Sequence, residues 1–217
     1  MDKKYRRVRA VLITLFRYLT RLHVRGVEHV PEKGAFVLAT NHISRMDTPL
    51  LGATCPRQVH ALVAAKYKSY PFFRWFVNTV NGIWVQRTDF DRDALSKAIK
   101  ILRQGDVLGV APEGTRSPTA DLQPGRPGAA FLAARVGVPV VPVGITGTQH
   151  MLPELRRFRR PRLSVVFGAP FHLPQTGRLS SEELAEATDL IMRRIAALLP
   201  TSYQGVYASP ELQTVSG

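Results

Sequence analysis

Six short apolar runs constrain the fold of this chain more than any other feature. They are "AFVLAT" (35–40), "VHALVAA" (59–65), "GIWVQ" (82–86), "DVLGVA" (106–111), "VPVVPVGI" (138–145) and "LSVVFG" (163–168). Runs of this length, rich in Val and Ile and without strict alternation, suit strands buried on both faces. Helical patterns lie between them. "DRDALSKAIKILRQG" carries Leu95, Ala98 and Leu102 on one stripe, with Gly105 placed as a C-terminal cap. "SSEELAEATDLIMRRIAALLP" has Ser180 and Glu183 spaced as a capping box, and Leu184, Ala187, Ile191 and Leu198 form its stripe. Pro200 lies just past its end. Strands alternating with helices predict a single α/β domain with a largely parallel mixed sheet flanked by helices. A chain of 217 residues is long enough to bury one sizeable core. It shows no internal repeat and no long low-complexity linker.

The amino end, "MDKKYRRVRAVLITLFRYLTRLHVRG", reads as a basic amphipathic helix over residues 1–22. Val8, Leu12, Leu15, Leu19 and Leu22 follow helical spacing among seven Lys and Arg. The run from Ala10 to Phe16 is too short to cross a bilayer. Such a helix lies in a membrane interface, packs its stripe on its own domain, or does both. The main domain is expected over 23–200. The tail, 201–217, lacks periodicity and is expected to be partly disordered. Thirty Lys and Arg oppose sixteen Asp and Glu, for a net charge of +14. That surface attracts nucleic acid, anionic lipid or phosphorylated substrates. No RNP-type strand, zinc-finger spacing or helix-turn-helix favours nucleic acid. The single cysteine, Cys55, excludes an intramolecular disulfide and reads as a small buried hydrophobe.

"NHISRMDTP" follows the first apolar run and places His42 five residues before Asp47. On one continuous helix their side chains would stand about 140° apart. A strand that ends at the histidine and turns into a helix is a better place for the pair to meet. The C-terminal edge of a buried strand is where α/β folds expose ligand-binding residues. Ser44 and Asp47 are spaced like a capping box, a start that puts Pro49 in the second turn and costs a backbone hydrogen bond. A helix starting at Asp47 is the alternative. A carboxylate beside an imidazole fixes its tautomer and stabilises the imidazolium, which makes a general base. A structural hydrogen bond is the competing reading of the pair taken alone. A metal site lacks a third ligand. No G-x-S-x-G elbow or cysteine nucleophile is evident, leaving the substrate's own hydroxyl as nucleophile. "NGIWVQRTD" puts Arg87 after another strand, and "VAPEGTRS" puts Glu113, Gly114, Thr115 and Arg116 after a third. Glycine permits close backbone approach, threonine can donate, and arginine grips phosphate with a planar fork. Each arginine alone reads as a solvated charge. Together with the His/Asp pair on one rim of the sheet, they point to a phosphate-bearing substrate.

With these residues in place, the chain resembles the glycerolipid acyltransferase family, typified by 1-acylglycerol-3-phosphate acyltransferases. Four blocks in order carry the resemblance: "NHISRMD", "GIWVQR", "PEGTRS" and "VPVVPV". The flanking "VRGVEHVPEKGAFVLATNH" and "GRPGAAFLAARVGVPVVPV" extend it over most of the chain. The resemblance implies transfer of a fatty acyl group from acyl-CoA or acyl-carrier protein to a lysophospholipid, 1-acylglycerol-3-phosphate. The product is phosphatidic acid. His42 would be general base, oriented by Asp47, without an acyl-enzyme. Arg87, Glu113, Gly114, Thr115 and Arg116 would bind the acceptor, and "VPVVPV" would shape the apolar side of the site. No metal or other cofactor is implied. The expected location is the cytoplasmic face of the cell membrane, on an anionic surface, with the enzyme peripheral or monotopic. Two departures bear on the acceptor: Gln86 stands where the second block usually has an acid, and Arg126 where relatives often have lysine. The alternatives are the same chemistry on a lyso-aminolipid, a glycolipid precursor or glycerol 3-phosphate, and a non-catalytic lipid- or nucleic-acid-binding protein. "RRFRRPR" (156–162) suits an anionic donor, a phospholipid surface or solvent alike.

Overall fold

The computed structural model describes residues 2–79, 82–85, 92–174 and 178–208. In chain order the elements are α1 (Lys3–Leu19), β1 (Arg21–Arg25), β2 (Phe36–Thr40), α2 (Asp47–Thr54), β3 (Val59–Ala64), α3 (Pro71–Thr79) and β4 (Ile83–Val85). There follow α4 (Arg92–Arg103), β5 (Val107–Val110), α5 (Gly128–Val136), β6 (Val140–Thr146), α6 (Met151–Arg156), β7 (Arg162–Phe167) and α7 (Ser181–Ala196). All six apolar runs are strands, β2 to β7. They form one sheet of order β1-β7-β6-β2-β5-β3-β4, parallel except where β6 pairs antiparallel with β7. This is the predicted α/β architecture with a largely parallel mixed sheet.

Period-two alternation divides the central strands between two cores. Val37 and Ala39 of β2, with Leu108 of β5, pack under α4, α5 and α7. Phe36 and Leu38, with Val107, pack under α1 and α2. All six are fully buried. The helix ends follow their residues. At α7 the Ser180 hydroxyl accepts from the Glu183 N–H, and the Glu183 carboxylate accepts from the Ser180 N–H. Gly105 closes α4 with a left-handed φ of 86°.

One boundary differs from expectation, and two others are now defined. Residues 21 and 22 leave the helix for β1, whose apolar residues alternate with exposed Arg21, His23 and Arg25. That pattern marks an edge strand, and Thr20, with φ −134° and ψ 170°, ends the helix before it. The tail is ordered at 201–208. Its two 3₁₀ turns pack on the loop at Leu122, whose N–H donates to the Tyr203 carbonyl at 2.9 Å. The Tyr207 hydroxyl accepts from the Gly125 N–H at 3.0 Å. Residues 209–217 lie outside the described residues. Finally, α2 begins at Asp47, so Pro49 sits in its first turn, where the N–H has no intrahelical partner to lose.

α1 docks on the domain. Tyr5 and Phe16 are buried, and the Arg9 Nε donates to the Cys55 carbonyl at 2.8 Å. Cys55 is wholly buried, and burial pushes its thiol up to about 11. Among the described residues no helix is long and apolar enough to cross a membrane.

Candidate active site

The site grows from the carboxyl ends of β2 and β5, adjacent parallel strands. Backbone pairing of β2 with β6 ends at Thr40. The Asn41 side chain then continues the ladder: Nδ2 donates to the Ile145 carbonyl and Oδ1 accepts from the Ile145 N–H, both at 2.8 Å. This holds the next residue at a fixed point on the rim. The His42 N–H donates to Glu113 Oε1 and its carbonyl accepts from the Ser117 N–H, each at 2.8 Å. With its backbone clamped at both ends, the imidazole swings onto the first turn of α2. His42 Nδ1 lies 2.9 Å from Asp47 Oδ2.

Asp47 is itself held by further donors. Its Oδ2 also accepts from the Ile43 and Ser44 N–H groups, both at 2.7 Å, and its Oδ1 accepts from the Thr148 hydroxyl. Four donors around a carboxylate that is 2% exposed define an acceptor. In the neutral ring such an acceptor favours the tautomer with its hydrogen on Nδ1, and His42 lines a cavity. Ser44 completes half of the expected capping box. Its N–H reaches Asp47, but its hydroxyl accepts from the Met46 N–H at 3.2 Å instead of from Asp47.

The other sequence-assigned residues separate. Glu113 is 2% exposed. Its second oxygen accepts from the Gln123 N–H at 3.0 Å, so both oxygens are committed to backbone inside the protein. Gly114 has φ 70°, and a Cβ there would meet Arg126 Cδ at 2.8 Å. The absence of a side chain lets the Arg126 stem cross it into the cavity wall. Thr115 and Arg116 are exposed beyond that wall. Arg87 lies outside the described residues.

A cavity of about 280 Å³ opens from His42. His42, Asp47, Gly114 and Arg126 line it, and Val8, Leu12, Leu51, Val59, Leu62 and Val110 give it apolar walls. Tyr5 and Arg9 of α1 also line it. The Tyr5 hydroxyl accepts from the Val59 N–H at 3.2 Å and donates to the Gly52 carbonyl at 3.3 Å, and burial raises it to about 12. The "VPVVPV" block does not shape this cavity. Val140, Val141 and Val143 are core residues of β6, which lies across β2 from the strands under the cavity, β5 and β3. Sequence reasoning did not assign Asn41, although it adjoins His42, and it noted Arg126 only as a departure bearing on the acceptor, not as a site residue. Thr148 gave no signal at all, being 101 residues from its partner. Among the described residues no cluster of three His, Cys, Asp or Glu side chains could hold a metal ion.

A family model described as Acyltransferase matches residues 21–146, more than half of the chain. The chain belongs to the acyltransferase family. It is an acyltransferase enzyme, and its relatives agree. The 1-acyl-sn-glycerol-3-phosphate acyltransferase of Bacillus subtilis is 28% identical over 177 residues, covering 81% of this chain and 86% of that protein. That of Borreliella burgdorferi is 29% identical over 197 residues, covering 88% and 76%. The crystal structure of the 1-acyl-sn-glycerophosphate acyltransferase PlsC of Thermotoga maritima matches with a TM-score of 0.72 at 27% identity, covering 89% of this chain and 78% of that one.

Glu113 carries a consequence for pH. Burial raises its carboxyl to about 7 from 4.5, against the lowering effect of the Gln123 and His42 N–H groups. Between those two values the folded protein holds a proton that the unfolded chain has released. The group's contribution is therefore present below pH 4.5 and lost as pH rises to 7, by roughly 3 kcal/mol. Glu113→Gln has no such proton. Chemical denaturation from pH 4 to 8 is expected to show wild type losing stability relative to Glu113→Gln across that window. A difference that stays flat with pH would return the carboxyl to its ordinary value.

Proposed function

We propose that the chain transfers a fatty acyl group from an acyl thioester, acyl-CoA or acyl-carrier protein, to the free hydroxyl of 1-acylglycerol-3-phosphate. The product is phosphatidic acid. The observation that carries this reading is the His42 ring, held through Nδ1 by Asp47 and lining a largely apolar cavity. In the proposed reaction the acceptor hydroxyl gives its proton to Nε2 as its oxygen attacks the thioester carbonyl. The carbon–oxygen bond forms, the carbon–sulfur bond breaks, and the imidazolium returns the proton to the departing thiolate. Asp47 stabilises that imidazolium. Direct transfer is supported by the cavity lining, which among the described residues contains no serine or cysteine. The apolar walls suit an acyl chain. The membrane partner is an anionic phospholipid surface at the cytoplasmic face, met by α1 and the basic excess.

Glu113 is then a positioning residue that ties the His42 loop to the loop before Arg126. Arg126 is the phosphate ligand best placed by the cavity, and Arg116 is exposed outside its lining. Arg126→Ala is expected to raise the acceptor KM by about 10–100-fold, the cost of a charge-assisted hydrogen bond, and Arg116→Ala by less. Equal KM values in wild type and Arg126→Ala would take this arginine out of the acceptor site.

The defining experiment is thiol release from a panel of acyl-CoAs and an acyl-carrier-protein thioester, with and without 1-acylglycerol-3-phosphate. Mass spectrometry of the lipid product accompanies it. Acceptor-dependent release with formation of phosphatidic acid is the expected result. Release with glycerol 3-phosphate or a lyso-aminolipid alone would replace the acceptor, and none with any pair would remove the reading.

A further inference from the structure

Phe158 occupies a position where the fold would be served better by glycine. At the end of α6 the Phe158 N–H donates to the Leu155 carbonyl and the Arg159 N–H to the Glu154 carbonyl, both at 3.0 Å. This double closure places the residue after the cap in the left-handed region, a place glycine normally fills. Phe158 takes it instead, with φ 57°, a conformation that costs a bulky L-residue free energy. Its side chain recovers nothing from the domain, being 101% exposed. Arg156, Arg157, Arg159 and Arg160 flank it, all on the surface.

Arg160 also fixes where this turn sits. Its Nη2 donates to the Arg17 carbonyl at 2.7 Å and the Thr20 carbonyl at 2.8 Å, at the C-terminus of α1. That helix has a second, outward stripe. Lys4, Arg7, Val11, Leu15 and Tyr18 follow one line at three- and four-residue spacing. Val11 is 60%, Leu15 47% and Tyr18 77% exposed. The stripe ends beside the carbonyl that Arg160 holds.

We infer that the Phe158 turn and the outer stripe of α1 form a two-point docking surface for an anionic bilayer. Phe158 enters the headgroup boundary as a wedge, and the arginines around it bind lipid phosphates. The inference rests on the membrane location proposed above and adds a second contact to the amino-terminal helix. An acidic carrier protein would also attract the arginines. A wedge that stands free of any groove, however, needs a medium that closes around it, and a bilayer does so without a matching pocket.

The test uses the full chain and sedimentation with phosphatidylglycerol/phosphatidylcholine vesicles. Phe158→Gly relieves the backbone and is expected to keep or raise Tm while weakening vesicle binding about tenfold. Val11→Ser/Leu15→Ser, at exposed positions, is expected to weaken it as well with the fold retained. Wild-type binding by Phe158→Gly would overturn the wedge and leave the membrane location standing. Wild type that ignores the vesicles would overturn both. Slower turnover by Phe158→Gly with a carrier-protein thioester, at unchanged vesicle binding, would make the turn a protein-docking site and overturn the inference.

Discussion

Replacing His42 by alanine is expected to lower turnover by about 10²–10⁴-fold while leaving the fold intact. The two halves of that expectation rest on different contacts. The loop is held by the His42 backbone, through Glu113 and Ser117, and alanine keeps both bonds. Asp47 loses one donor of four but still accepts from the Ile43 and Ser44 N–H groups and the Thr148 hydroxyl, so no buried carboxylate is orphaned. Among the described residues the imidazole has one side-chain partner, and it is partly open to the cavity, so little packing goes with it. The lost quantity is proton transfer. Acceptor-dependent thiol release measured beside the thermal unfolding midpoint separates the two effects. Full activity in a folded His42→Ala would place the base elsewhere, and lost activity with a collapsed Tm would make His42 a structural residue.

The legibility of this site followed the range of the interactions that build it. His42 and Asp47 are five residues apart across one strand-to-helix turn, and local spacing was enough to bring them together. The six strands were legible because a parallel sheet buried on both faces needs unbroken apolar runs. β1 was not, because an edge strand with every second residue in solvent resembles the polar end of the helix before it. Glu113 and Thr148 mark the limit. "PEGTRS" located Glu113 on the rim correctly, but nothing local says that its carboxylate turns inward onto the His42 and Gln123 N–H groups. Thr148 reaches Asp47 only because β6 lies beside β2, and that neighbourhood is a property of strand order. "VPVVPV" misled for the same reason, since an apolar strand lines a cavity or fills a core according to its neighbours.

The deeper loss is expected at Asp47, where the fold and the proposed chemistry share one carboxylate. In Asp47→Ala the Ile43 and Ser44 N–H groups, the Thr148 hydroxyl and His42 Nδ1 all lose their acceptor in a buried site. At about 1–3 kcal/mol for each buried donor left unpaired, with partial relaxation, destabilisation of about 3–5 kcal/mol is expected. Asp47→Asn divides the two roles. Its amide oxygen can replace Oδ2 for the donors gathered there, and the Thr148 hydroxyl can rotate to accept from its NH₂ group. Most of the fold should survive, at a cost of about 1–2 kcal/mol. The negative charge does not survive, and with it goes the stabilisation of an imidazolium beside it. Turnover is therefore expected to fall about 10²–10⁴-fold in a protein that still unfolds cooperatively. In the proposed mechanism the two residues act as one unit, so His42→Ala/Asp47→Asn is expected to be hardly slower than the slower single variant. Multiplicative losses in that double variant would mean that the residues act separately, and near-wild-type turnover by Asp47→Asn would reduce Asp47 to a helix-start residue.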